Sequence, residues 1–317
     1  MYFRFNKRNL NVKKKLRKLI RGLTLPQEYC CLEMEKLQRP LSTILTLKNK
    51  SFQLDVTHSH LFLGYKPLII GLSVSQESEE YKTLADHSQV LLSLVQNRFI
   101  GDFRWRDFLT YGKSVARLIL RKQEERRLKD YALFVYKGEY GHHSFLSHGH
   151  QFINSQLQRL HKRQLTNVDL NKNLYDQVRI AYATPRQISI VTVSDGSRIN
   201  MFPTDLHGPT GENVYAGSLR IGGLANDQVE KYRRIVVSTV EASSYRESYA
   251  LGKNHIAELQ AVERFSIDPE RSHDFDFPLP KGVVSYQELK HIDSLDYGIH
   301  RIHLYEVVHR KEVRHQV

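Results

Sequence analysis

Gln187–Pro203 reads QISIVTVSDGSRINMFP. Gln187–Val193 is dense in β-branched residues and predicts a strand. Asp195, Gly196 and Ser197 have the residue types of a tight hairpin turn, and Arg198–Pro203 predicts the returning strand. Working outward, His207–Asn213 is a loop and Val214–Ile221 (VYAGSLRI) a strand. Ala225–Tyr232 is a helix, Ile235–Val240 a strand, and Ser243–His255 helical. Val283–Ile292 and His300–Val308 are two further strands joined by a turn at Asp296–Gly298. Gly and Asp punctuate this half as a barrel of short antiparallel strands requires.

The first half has a related rhythm. Leu41–Leu47 (LSTILTL) predicts a strand, Lys48–Ser51 a turn, Phe52–Phe62 alternates loosely, and Leu68–Val74 is a second apolar strand after Lys66-Pro67. Glu79–Asn97 predicts a helix running into a strand. Residues 40–75 lie over residues 186–221 without gaps. Thr46 then meets Thr192, Ser51 meets Ser197 and Gly71 meets Gly217. The hydrophobic runs also coincide, which suggests two copies of one β-unit. The plainer alternative is that any two β-meanders look alike. Between the copies, Phe103, Trp105, Phe108 and Tyr111 precede Lys113–Asp130. There Val115, Leu118, Ile119 and Leu128 predict a helix. Tyr131–Tyr136 is a strand, Gly138–His150 a His- and Gly-rich loop, Gln151–Lys162 a short helix and Gln164–Asp176 a linker.

Composition bounds the function. The chain has 317 residues, 47 Lys+Arg and 34 Asp+Glu, for a net charge of +13. Hydrophobic residues make up 40%, which argues against a disordered chain. Cys30 and Cys31 are adjacent, so they form neither a disulfide framework nor a CxxC zinc site, and a cytoplasmic setting is expected. No apolar run reaches the length of a membrane span. Residues 1–25 hold nine basic side chains and no acid, with Val12, Leu16, Leu19, Ile20 and Leu23 at helical spacing. This predicts a basic amphipathic helix that either docks on the body or meets nucleic acid or an anionic surface. There is no GxGxxG after a strand, no P-loop, no HExxH and no GxSxG. The positive charge suits nucleic acid or small anionic ligands equally.

The C-terminal half resembles the flavin reductase-like family with the FMN-binding split barrel. Four segments carry the resemblance: Ile188–Val193 with Asp195-Gly196, Asn200–Thr204 (NMFPT), Ser218–Gly223 (SLRIGG) and Tyr286–Val308. In the last, Gly298, His300 and Glu306-Val307 stand where the family has a turn glycine, a histidine and a Gly-Glu-Val strand end. The match spans residues 184–315, with a degenerate copy near 38–100. Two departures are plain: the loop Gly208–Asn213 is longer than usual, and Ile299 separates the turn glycine from His300. The resemblance implies a mainly β fold with α, a duplicated split β-barrel with peripheral helices. It divides the chain into a basic N-terminal helix (1–36), a degenerate split-barrel unit with inserted helices (37–176) and an FMN-binding unit (177–317). Family members are usually homodimers, so two copies in one chain would make a pseudo-dimer, with further oligomers open.

The implied cofactors are FMN and, as co-substrate, NAD(P)H, in a flavin reductase-like oxidoreductase. The rival is a non-catalytic binding or interaction protein, or a binder of another ligand such as haem. Arg220 can pair a phosphate, Gly222 and Gly223 let backbone N–H groups approach it, and the following helix offers its positive end, the plain alternatives being a surface arginine and an ordinary turn. Ser218 and Asn226 add neutral hydrogen bonds, and Met201, Phe202, Pro203 and Thr204 would face the isoalloxazine edge. His300 is the candidate catalytic residue, positioning the nicotinamide, with a histidine on a solvated strand as the plain alternative. The N-terminal counterpart of the phosphate loop, Ser75–Glu80, is acidic and is expected to have lost its site. His142, His143, His148 and His150 lack a partner pattern for zinc and read as a polar, partly packed loop, with a metal or haem ligand as the alternative, and no metal site is assigned.

Overall fold

The computed structural model describes residues 30–32, 41–47, 52–96, 114–145, 149–150, 152–153, 170 and 173–313. The basic helix of residues 1–25, the aromatic stretch Phe103–Tyr111 and His148 lie outside them. In chain order the strands of the first half are β1 (Cys30–Cys31), β2 (Leu41–Thr46), β3 (Gln53–Asp55), β4 (His60–Tyr65), β5 (Leu68–Ser75), β6 (Gln89–Gln96), β7 (Ser114–Leu128) and β8 (Tyr131–His143). Helix α1 (Glu79–Asp86) sits between β5 and β6, and α2 (Asn173–Tyr182) follows β8. It runs across the expected 176/177 boundary. The second half has β9 (Arg186–Gln187), β10 (Ser189–Ser194), β11 (Arg198–Thr204), β12 (His207–Pro209), β13 (Val214–Arg220), α3 (Leu224–Tyr232) and β14 (Arg234–Val240). After it come α4 (Tyr245–Ala250), β15 (Gln260–Ala261), β16 (Ile267–Arg271), β17 (Pro278–Pro280), β18 (Val283–Tyr297) and β19 (His300–Glu312).

Two sheets dominate, and the chain is mainly β with α. The seven-stranded sheet has the order β3-β2-β6-β7-β8-β5-β4, and the eight-stranded sheet β12-β13-β19-β18-β14-β10-β11-β15. Let β10 stand for β2, β11 for β3, β12 for β4, β13 for β5, β14 for β6, β18 for β7 and β19 for β8. The two orders are then the same apart from the added edge strand β15. The helix between the fourth and fifth members, α1 or α3, also recurs. The two sheets differ in curl. Strands near both ends of the eight-stranded sheet line one small cavity, with Thr204 and Val191 on one side and His207 and Tyr215 on the other. A sheet whose near-terminal strands share an interior has curled into a half-barrel. The seven-stranded sheet has the same order but is neither closed nor curled in this way.

Residues Ser114–Leu128 form one long strand rather than the helix their apolar spacing predicts. Ala116, Leu118 and Leu120 are buried on one face while Arg117 and Arg121 are exposed on the other. That is a period of two, and pairing with β6 and β8 overrides the helical reading. The expected loop at Gly138–His150 likewise begins as strand, since β8 continues to His143. There the His143 ring stacks on Phe145 with centroids 5.0 Å apart and lies 3.5 Å from Asp176.

The sheets pack on each other through Leu63, Ile69 and Val135 of one and Ala216, Ile302 and Leu304 of the other, all buried. Each of the Leu, Ile and Val side chains removed from water contributes about 1.5–3 kcal/mol. Polar links cross the same seam: Ser73 Oγ donates to the Thr210 carbonyl at 2.6 Å, and Tyr297 donates to Glu124 at 2.8 Å. Beyond the seam, β10 is buried on both faces. Val191 and Val193 point into the half-barrel against α3. Ile190 points outward with Ile199, Met201 and Val240. The excursion between β14 and β18 covers that outer face and leaves a cleft of about 790 Å³, bordered by Met201, Glu247, Lys253, Arg264 and Lys281.

Candidate functional site

Strand β13 ends at the exposed Arg220, and the chain turns through Ile221, Gly222 and Gly223 into α3. Gly222 has φ +76°, a left-handed conformation that side chains resist, and the space its Cβ would fill is open. The N–H of Gly223 donates to the Arg220 carbonyl at 3.1 Å and closes the turn. Gly223 is the N-cap of α3, and no side chain caps it. The first intrahelical bond is from the Asp227 N–H to the Gly223 carbonyl, so the N–H groups of Leu224, Ala225 and Asn226 have no helical acceptor. An exposed guanidinium beside an uncapped helix N-terminus is a setting for an anion. Among the described residues Arg220 has no ion-pair partner. The equivalent place in the other sheet differs: Ser78 caps α1 by accepting from the Tyr81 N–H at 3.1 Å, and Glu79 and Glu80 occupy the first turn.

His300 lies directly across the ladder from Arg220. Its Nδ1 is 3.3 Å from Ser218 Oγ, and its buried Nε2 has no hydrogen-bond partner. The ring is 1% exposed. Tyr65 from the other sheet lies over it edge to face, centroids 4.4 Å apart. The Ile299 N–H donates to the Lys66 carbonyl at 3.2 Å, and the Ile221 N–H to the Ile299 carbonyl at 3.0 Å. The end of β13, the β18–β19 turn and the β4–β5 turn therefore meet at one point of the seam. Burial, and then the Arg220 charge, push the His300 imidazole down to about 4, with Asp205 opposing. Burial raises the Tyr65 phenol.

The other expected residues divide. Ser218 is buried against His300. Asn226 is turned inward: its Oδ1 accepts from His303 Nε2 at 3.0 Å and its Nδ2 donates to Glu230 at 3.2 Å. Met201 and Phe202 are both fully buried on opposite faces of β11, Met201 bordering the outer cleft and Phe202 inside the half-barrel. Their neighbour Pro203 presents its carbonyl to His255 Nε2 at 2.8 Å, and the Met201 carbonyl accepts from Asn254 at 2.9 Å. Thr204 is half-buried beside Asp205. Sequence reasoning missed Tyr65, which covers His300, Asp205, whose charge acts on it, and His255, whose carbonyl lies near Gly223. Asp205 is held by Arg186, whose Nη2 donates to it at 2.8 Å. Nothing local marks Tyr65 or His255, which reach the site from distant segments, whereas Asp205 directly follows Thr204.

The phosphate end of FMN fits this place, with an exposed Arg220, an open Gly222 and an uncapped helix terminus. A flavin ring does not fit inside the half-barrel, whose cavity of about 20 Å³ holds one water.

Several buried histidines make stability depend on pH. Burial holds His207 down to about 4, and burial with the neighbouring His291 holds His303 down to about 3. With His300, these groups stay neutral in the fold but take up protons near pH 6.5 when unfolded. Their contribution is complete above pH 6.5 and is lost as pH falls from there towards 4 and 3. Each is worth on the order of 3–5 kcal/mol across that range. The urea midpoint is expected to fall between pH 7 and pH 4.5, and less steeply in His303→Gln. Equal slopes for the two proteins would show that His303 is not held neutral.

No family model matches the chain, and no curated protein matches it. Solved structures do. An FMN-binding protein from Thermus thermophilus with bound p-hydroxybenzaldehyde is 17% identical over 39% of this chain and 70% of its own, with TM-score 0.34. An NADH:FAD oxidoreductase of Streptomyces globisporus C-1027 is 17% identical over 47% of this chain and 89% of its own, with TM-score 0.38. Flavoredoxin from Methanosarcina acetivorans is 8% identical over 47% and 75%, with TM-score 0.36. No described helix is long and apolar enough to cross a membrane.

Proposed function

We propose that the C-terminal unit binds FMN, with the phosphate at Arg220, Gly222, Gly223 and the α3 N-terminus. One observation carries this reading: that helix terminus is uncapped beside an exposed arginine, whereas its counterpart in the other sheet is closed by Ser78. The duplicated arrangement then has a division of labour. The N-terminal sheet supplies a wall, Tyr65, and the C-terminal unit supplies the phosphate site, so one chain acts as a pseudo-dimer. The chemistry supplied by a bound flavin is hydride and electron transfer. This chain's residues would hold the phosphate, shield the ring edge along Thr204 and His255, and bring NAD(P)H near His300. His300 is covered by Tyr65, so access to it requires the Tyr65 ring to turn aside. The activity proposed is that of a flavin reductase-like oxidoreductase.

A second reading is favoured by the closed interior, the buried His300 and the carbonyls already taken by Asn254 and His255. On that reading the chain is a non-catalytic binding or interaction protein, or holds another ligand such as haem. The visible spectrum of the purified full chain, followed by FMN titration with flavin fluorescence, separates the two. Quenching with one equivalent supports the flavin site. No binding, or a Soret band, removes it.

A further inference from the structure

Away from that site, among the described residues, His273, Asp274 and His309 bring three ligand atoms within 4.8 Å of one another. They come from two separate segments. His273 and Asp274 lie on the loop between β16 and β17, and His309 lies near the end of β19. The two imidazoles stack with centroids 4.5 Å apart and planes 9° from parallel. His273 Nδ1 is 3.0 Å from Asp274 Oδ1, and His309 Nδ1 is 3.9 Å from Asp274 Oδ2.

The loop is anchored from beneath. Glu288, directly across the ladder from His309, is fully buried. Its carboxylate accepts from the Asp274 N–H at 2.9 and 3.0 Å and from the Phe275 N–H at 2.7 Å. Asp274 therefore stands over His309 because a buried charge fixes the backbone that carries it. Support of this kind beneath a ligand is what orients metal sites. Two parallel imidazoles this close repel if both are protonated, and neutral imidazole is the form that binds metal. Among the described residues the ionic neighbours of Asp274 are these two histidines, since Arg271 pairs with Asp276 and Lys311 with Glu270.

We propose that His273, Asp274 and His309 bind a divalent transition-metal ion, zinc in the first place, which clips the β16–β17 loop onto β19. Two imidazole nitrogens and one carboxylate suit zinc and its borderline neighbours better than calcium or magnesium, which prefer oxygen alone. A tetrahedral zinc separates its ligand atoms by about 3.4 Å. Rotation of the exposed His273 and Asp274 side chains about the half-buried His309 closes the difference from the separations seen here. The fourth position faces solvent and takes water. The clip also bears on the outer cleft, because β17 and the chain after it, Pro280–Gly282, form one of its walls.

The test uses the full chain stripped with EDTA and zinc chloride as the probe. A chromophoric indicator is expected to show one tightly held equivalent in the wild type that is missing from the His273→Ala/His309→Ala double variant. Asp274→Asn is expected to weaken that equivalent at least tenfold. In EDTA the double variant should melt close to or slightly below the wild type, because His273 is exposed and His309 is half-buried against it, and zinc should raise the melting temperature of the wild type alone. A double variant that fails to fold leaves a check on the wild type by itself. Zinc should slow proteolysis within residues 272–277, and X-ray absorption should show imidazole in the first shell. Equal zinc binding by wild type and double variant, or a first shell without imidazole, overturns the proposal.

Discussion

Gly223→Asp is expected to abolish FMN binding while leaving the melting temperature unchanged or slightly raised. The opposition of the two effects follows from the geometry of the α3 terminus. Gly223 is the N-cap with φ −92° and ψ 140°, an extended conformation that any residue adopts. Asp is among the preferred residues there, since its carboxylate accepts from the N–H groups two and three positions on. It also favours the positive helix end by up to about 1 kcal/mol. A new Cβ would meet the Arg220 carbonyl at 3.2 Å, which asks for a shift of a few tenths of an ångström. The carboxylate would then occupy the donors a phosphate needs and repel what remains. Arg220→Ala removes one charge-assisted contact without filling the site. It is expected to weaken FMN by about ten- to a hundredfold, from a loss of about 1.5–3 kcal/mol. Flavin fluorescence titration and thermal melts on the same samples read both quantities. A Gly223→Asp variant that still binds FMN at wild-type affinity would move the phosphate elsewhere.

Gly298→Ala is expected to be the most damaging small substitution at the seam between the sheets. Gly298 has φ +62°, and a Cβ there would run into the Lys66 carbonyl and lie 2.5 Å from Pro67 Cδ. The left-handed conformation costs a side chain about 1–2 kcal/mol. Pressing against fixed backbone adds about 1–3 kcal/mol. The sum, on the order of 3 kcal/mol, lowers the melting temperature by roughly 5–10 °C. Gly196→Ala is the control. Gly196 has φ +100° but nothing within 4 Å of its Cβ position, so only the conformational part applies. If the two variants melt together, the β18–β19 turn does not press on Lys66–Pro67. Gly298→Ala should also loosen Tyr65 over His300, because Ile299 and Lys66 are hydrogen-bonded at that point.

Much of the C-terminal unit was legible because its signals are local. Asp195, Gly196 and Ser197 form the expected turn, with Asp195 accepting from the Ser197 N–H at 2.9 Å and the Arg198 N–H at 2.7 Å. Ser218–Gly223 is a strand end, turn and helix start as its residues predict, and Gly71 and Gly217 fall in β5 and β13, which hold equivalent places in the two strand orders. Residues 114–128 were misread because an apolar set at 115, 118, 119 and 128 satisfies a helical period. Only the flanking strands β6 and β8 reveal that 116, 118 and 120 form the buried face.

The amino-acid sequence alone determined where strands turn and where a helix opens without a capping side chain, since turn chemistry and capping need only neighbours along the chain. The tertiary structure alone decided which faces are covered. It buried Met201 and Phe202 on opposite sides of β11, laid Tyr65 over His300, turned Asn226 towards His303, and set Asp274 against His309. Those pairings join residues tens to hundreds of positions apart, and no local preference specifies them. They are settled when the two sheets close on their shared apolar seam and bring their turns together.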